Sequence, residues 1–310
     1  QMNLNTSFTG DDDLYIRLKT GNAVAQFKNK LMGTYLSSTN TYNDDLKVDK
    51  IWYSFPISDS FTAWVGPKIE NYYMHGATPS IYSPVLKGFK LGGNGAAYGA
   101  STDSGFGIAY NADNGFSVSS NLVSDQNGTS SGFLTKEVDE NWSTQIAYTK
   151  PNYHVSLIAA LKYDGWKDQY YSTSKGSSRS GGTLTGDSTN YGFRAYWRPE
   201  DSGTATPEIS LGYDISSIDG ASSTEDETTA YFVGLTWKEM FQPDDKIGVA
   251  FGQPQTREDE TVDPFMWEAY YSFKPNDSVT ITPAIFGGND VNGTAGEDIT
   301  GAVIETTFKF

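Results

Sequence analysis

His75 and His154 are the whole imidazole complement of this 310-residue chain, which also has no cysteine. A multi-histidine or thiolate metal centre is therefore out of reach, and so is any disulfide. A single histidine could still serve a Ser-His hydrolase built on a barrel wall. No G-x-S-x-G elbow accompanies either one, and a lone histidine among polar neighbours reads more simply as a lining group. The glycines of Gly92–Gly99 lack the spacing of a dinucleotide fingerprint or a P-loop, and no βαβ unit surrounds them. Acidic runs such as Asp11–Asp13 have ligands suited to Ca²⁺, yet none matches an EF-hand loop; solvated loop charge is the better reading. No catalysis and no cofactor are expected.

What remains is a chain whose composition describes a wall. It holds 32 Gly, 20 Tyr, 17 Phe and 7 Trp with 19% charged residues, polar on average yet rich in aromatics. A soluble sandwich hides its aromatics, whereas a transmembrane β-barrel displays them in girdles around a wet interior. No run of about 18 apolar residues exists, so a transmembrane helix is excluded. The net charge of −16 argues against a nucleic-acid partner. Gln1 opens directly into the strand-like run Met2–Thr9 with no export signal in view, which suggests a mature or trimmed chain.

Period-two alternation is pervasive. Tyr153, Val155, Leu157, Ala159, Leu161 and Tyr163 oppose His154, Ser156, Ile158, Ala160 and Lys162; Tyr191, Phe193, Ala195 and Trp197 oppose Asn190, Gly192, Arg194, Tyr196 and Arg198. The segments Thr229–Trp237, Phe265–Phe273 and Gly301–Phe310 repeat the pattern. Connections alternate between short (Ser58–Ser60, Ala112–Gly115, Pro151–Asn152, Glu200–Thr204, Phe241–Asp244, Pro275–Asn276) and long (Asn71–Ala96, Gln126–Glu140, Trp166–Ser188, Ile218–Thr228, Gln255–Pro264, Gly287–Asp298). Short periplasmic turns facing long external loops are a property of outer-membrane barrels. The pattern predicts one all-β domain over residues 1–310, a transmembrane antiparallel barrel. About thirteen strands follow from Lys50 onward; Met2–Phe8 running up, Leu14–Ala23 down and Val24–Tyr35 up bring the number to 16, with 14 or 18 as alternatives. Phe310, a terminal aromatic on an alternating strand, reads as an assembly signal.

With the aromatic face assigned to lipid, the other face should line a lumen. Arg17, Lys19, Lys50, Lys68, His154, Lys162, Arg194, Arg198, Asp214 and Glu268 are the pore-lining candidates. Lys238, Lys246, Lys274 and Lys309 also fall on this face, with Glu208 and Glu305. Most other acids lie in connections, at Asp11–Asp13, Asp44–Asp45, Glu225–Glu227, Glu258–Glu260, Asp263 and Glu297–Asp298. That partition predicts acidic mouths over a more basic wall, and charged rings bias which ions pass. Asn71–Ala96 is the candidate for an inward-folded constriction loop, carrying Tyr72, Tyr73, His75, Tyr82, Lys87 and Lys90. The competing reading is an external loop packed on a neighbouring subunit.

Several stretches resemble the cyanobacterial major outer-membrane porins, which group with the OprB-type carbohydrate-selective porins and carry iron-uptake labels. They are Asn3–Gly10 (NLNTSFTG), Leu14–Asn22 (LYIRLKTGN), Ile247–Pro254 (IGVAFGQP), Ser278–Ile285 (SVTITPAI) and Ala302–Phe310 (AVIETTFKF). The resemblance implies a homotrimeric channel among outer-membrane lipids of a Gram-negative-type bacterium, passing small solutes and inorganic ions. A channel specific for carbohydrates or iron is the alternative. It also implies an N-terminal domain that binds the peptidoglycan layer; this sequence starts at the barrel, so wall anchoring is not expected of these residues.

Overall fold

The computed structural model describes residues 1–310 apart from 23–35, 37–41, 94–95, 100, 126–133, 136–137, 164–186, 220–225, 259, 292 and 310. Among the described residues fifteen strands form one sheet: β1 (Met2–Thr6), β2 (Asp13–Lys19), β3 (Lys47–Ser58), β4 (Phe61–Glu70), β5 (Thr102–Asn111), β6 (Phe116–Ser124), β7 (Glu140–Thr149), β8 (Tyr153–Tyr163), β9 (Ser188–Trp197), β10 (Glu208–Ile218), β11 (Glu227–Lys238), β12 (Lys246–Arg257), β13 (Phe265–Asn276), β14 (Val279–Asn289) and β15 (Ile299–Phe308). Their order in the sheet is their order in the chain. The strands expected from Lys50 onward are β3 to β15. The expected Val24–Tyr35 strand and the terminal Phe310 lie outside the described residues. Among the described residues, β1 and β15 are not paired with each other.

Side-chain alternation sorts the two faces. On β8, Tyr153, Val155 and Leu157 are exposed, while His154, Ser156, Ile158, Ala160 and Lys162 are buried. The exposed face is aliphatic at mid-strand, at Ile108, Ile146, Leu157, Leu211 and Ile285. Towards the strand ends it turns aromatic. Phe61 packs on Tyr110 with ring centres 4.9 Å apart, and Tyr271 stacks on Phe273 at 5.5 Å, near the short turns. Phe251 and Phe265 meet at 6.2 Å near the opposite end. An apolar band between two aromatic belts is the outer surface a bilayer selects.

The sheet is curled. Tyr73 accepts a hydrogen bond from Arg17 on β2 at 2.9 Å, and Tyr82 donates one to Glu268 on β13 at 2.8 Å. Across a flat sheet β2 and β13 would lie on the order of 50 Å apart, whereas the chain from Tyr73 to Tyr82 spans at most about 30 Å. One loop touches both because the sheet wraps around it.

Two carboxylates organise tight connections at the short-turn end. Asp12 accepts from the Phe8 and Thr9 amides and the Tyr53 hydroxyl; these bonds and that of Ser7 hold its pKa far below the usual range. Asp245 accepts from the Met240, Phe241 and Gln242 amides and from Tyr271. This corrects the expected course of the first strands. Lys19 pairs directly with Lys47, so β2 and β3 are sheet neighbours, and β3 leads into the short Ser58–Phe61 turn. The β1–β2 connection with Asp11–Asp13 therefore sits at the turn end, not the long-loop mouth.

Substituting Leu157, at the middle of the exposed band, by arginine should cost about 2–4 kcal/mol of barrel stability in lipid. Reversible unfolding in lipid vesicles reads this directly. An unchanged midpoint would mean that Leu157 does not face hydrocarbon.

Candidate functional site

The β4–β5 connection, residues 71–101, folds onto the inner face of the sheet. Two short 3₁₀ turns, Asn71–Met74 and Lys87–Phe89, punctuate it. Its second half has an apolar side: Tyr82, Val85, Leu86 and Phe89 pack with Phe232, Ala250, Met266, Tyr270, Ala284 and Phe286 from β11 to β14. This sector of the inner wall is thus apolar where a uniformly polar lumen was expected. The residues Phe232, Met266 and Phe286 form a floor for the loop, and burying them supplies its hydrophobic docking energy.

Polar groups fix its position. Glu268 accepts from the Tyr82 hydroxyl and from the Val85 and Leu86 amides at 2.8, 3.1 and 2.6 Å. Arg194 donates to the Leu91 and Gly93 carbonyls at 2.8 and 2.6 Å, pairs with Asp214 at 2.7 Å, and lies over the Tyr98 ring. Lys162 donates to the Ala96 carbonyl at 2.6 Å. Gln145 brackets the backbone of Ala77, accepting from its amide and donating to its carbonyl, and also donates to Tyr98. His75 sits between Ser119 and Ser143, where burial lowers its pKa to about 3 and keeps the ring neutral. Asn121 and Asn141 hold the two ends of the loop at Asn71 and Ser101.

Where the loop leaves β4 the charges crowd. Arg17 meets Asp49 at 2.5 Å and Glu70 at 3.7 Å; Lys50 meets Glu70 at 3.3 Å and Asp49 at 3.8 Å; Lys19 meets Asp49 at 3.1 Å. Tyr72 donates to Glu70, and Lys90 lies over the Tyr72 ring. Lys87 and Lys90 act on Glu70 from the loop. Beside these charges, Tyr15 stacks on Trp52 at 4.9 Å and Tyr73 packs against both.

Apart from Lys68 and the loop's own His75 and Tyr82, the candidates named from sequence fall into three groups. Arg17, Lys19 and Lys50 come together with the loop residues Tyr72, Tyr73, Lys87 and Lys90. Lys162, Arg194, Asp214 and Glu268 are buried beneath the loop and hold it. They are anchors for the backbone, which removes Arg194 and Lys162 as freely accessible wall charges. His154 stacks on Tyr196 at 4.8 Å nearer the turn end, where Arg198 approaches Glu208. Lys68 is a correction. A register irregularity between Gly66 and Ile69 pairs it with Ile51 on the outer face, and it is exposed. Asp49 was missed because strict alternation turns it outward; Glu70, two residues beyond Lys68 and of the same parity, was passed over at the end of its strand. A bulge opposite Arg17 and Leu18 buries Asp49 beside its neighbour Lys50.

An antiparallel sheet wrapped around its own loop, banded with lipid-facing apolar and aromatic residues, defines an outer-membrane porin-type β-barrel. Residues 1–286 match the family of carbohydrate-selective porins, OprB family, and the chain belongs to it. The protein alr4550 of Nostoc sp. is 25% identical across all of this chain, which spans 60% of that relative's length. Among solved structures, OprB of Pseudomonas putida superposes with a TM-score of 0.65 at 12% identity, covering 97% of this chain and 84% of that one. The anion-selective porin of Comamonas acidovorans gives 0.63 at 11% identity, covering 99% and 87%. The location is the outer membrane of a Gram-negative-type bacterium.

Gly212 on β10 is where the loop comes closest. A Cβ there would stand 1.7 Å from the Gly92 carbonyl oxygen, and Gly92 and Gly93 both take left-handed φ values. Gly212→Val should lift the Leu91–Gly93 turn from Arg194 while the barrel still assembles. Hydrogen exchange at Leu91–Gly93 should accelerate with unchanged β-sheet circular dichroism; unaltered exchange would contradict this contact.

Proposed function

We propose that the chain forms a water-filled channel for passive diffusion of small hydrophilic solutes and inorganic ions, with its inner loop setting the narrowest passage. The observation that carries this reading is the cross-braced loop: one connection bound to β2 at one side of the interior and to β13 at the other. A wide barrel left empty would be an unselective hole, and a fixed loop across it limits solute size. Lys19, Tyr72, Tyr73, Lys87 and Lys90 line that passage in this reading, backed by the buried Arg17 and Lys50, with Arg198 nearer the turn end beside the buried His154. The exposed apolar wall supports a setting among outer-membrane lipids and assembly as a homotrimer through part of the same surface.

A carbohydrate-specific channel is the second reading. It is favoured by the row of Tyr15, Trp52, Tyr72 and Tyr73 beside paired acids and bases, since sugars present an apolar face to aromatic rings and hydroxyls to charged partners.

Planar-bilayer recording of the detergent-extracted protein should give steps of ohmic conductance. Replacing residues 77–90 by a short Gly/Ser linker should enlarge each step. Equal steps would remove the loop as the constriction. Conductance that millimolar oligosaccharide blocks would establish the second reading over the first, and a native mass equal to one chain would remove the trimer.

A further inference from the structure

We infer that the ionic cluster between the loop and β2–β4 is a binding subsite for a doubly charged tetrahedral oxyanion, such as inorganic phosphate or sulfate, in transit through the lumen. This inference rests on the channel reading above.

Three cations, Arg17, Lys19 and Lys50, pair with two carboxylates, Asp49 and Glu70, and the loop adds Lys90, over the ring of the Tyr72 that bonds Glu70, and Lys87 one short turn before it. The arrangement is layered. Asp49, Glu70, Arg17 and Lys50 are buried against the wall, each less than a tenth exposed. Lys19, Lys87 and Lys90 remain partly exposed. Two carboxylates do not neutralise five cations, so the cluster carries net positive charge, part of it on the partly exposed Lys19, Lys87 and Lys90.

A neutral sugar can meet the neighbouring rings and ion pairs but leaves the excess positive charge unmatched. Chloride has no directional geometry for three separate ammonium groups. A tetrahedral dianion has both the charge and several acceptor oxygens to receive hydrogen bonds from Lys19, Lys87 and Lys90 together. Low-dielectric walls on the strand side and the loop side focus the field of the cluster into the passage.

The protonation of Lys87 adds a second handle. Burial pulls its pKa down to about 7; Glu70 opposes the shift, and Lys90, Lys19 and Lys50 reinforce it. Arg17 and Asp49 complete the charges around this group. A lysine with a depressed pKa is cationic below that value and neutral above it, so oxyanion binding should strengthen as pH falls through 7. Sulfate is the probe for this arm, because its own charge is constant there.

The test is sulfate and phosphate titration into chloride solutions bathing single channels in planar bilayers. A saturating block of the chloride current is expected. In the double variant Lys87→Gln/Lys90→Gln the block should require at least about tenfold more oxyanion, and Lys87→Arg/Lys90→Arg should retain it. Calorimetry of sulfate with the detergent-solubilised protein reads the same subsite without conduction. Binding without channels would retire the channel reading and keep the subsite. Channels without block or binding would overturn the subsite, as would a block of equal strength in the glutamine variant.

Discussion

A backbone amide has no water to turn to in hydrocarbon, and the rest of this molecule follows from that constraint. Each strand from β2 to β14 answers it on both sides with a hydrogen-bonded neighbour, and the sequential order of pairing leaves no crossover to route through lipid. Once the backbone is committed to a sheet, side chains have two destinations. The exposed face becomes aliphatic with aromatic borders. The inner face is released from any demand to be apolar and can carry arginine, lysine, glutamate and asparagine.

That freedom is used mainly to hold one segment of chain. Carbonyl groups of residues 71–101 would be poorly satisfied in irregular backbone. Arg194, Lys162 and Asn121 donate to them, and Glu268 and Gln145 accept from the amides. The apolar floor on β11–β14 and the charged corner at β2–β4 divide the work. The floor supplies burial, and the corner supplies charge that still meets solvent. The inner wall is therefore asymmetric around its circumference, and its chemistry is concentrated on the side where the loop begins.

Most of the barrel was legible in the sequence because a period of two repeats along each strand, and thirteen strands in succession leave little room for error. The loop was legible by its length and its tyrosines and lysines. The charged corner was legible only in part. Alternation turns Lys50 inward and Asp49 outward, and the bulge that brings both inside is a property of pairing with β2, not of the β3 sequence alone. Lys68 failed for the same reason, displaced by the irregularity after Gly66. Phe232, Met266 and Phe286 sat on the face assigned to water; their purpose is apparent only with Tyr82 and Phe89 against them. The direction of β1 and β2 depended on which strand neighbours β3, a tertiary fact that hydrophobic pattern does not encode.

The loop's bonds also order events in time. Tyr82 and Glu268 lie 186 residues apart in the chain, and the loop cannot reach both β2 and β13 until the sheet has curled. Hairpins between consecutive strands need no such wait, because they close small loops first. Docking of residues 71–101 is therefore among the last steps of assembly. Before it, the charged corner on β2–β4 lacks Tyr72, Tyr73, Lys87 and Lys90, its partners from the loop.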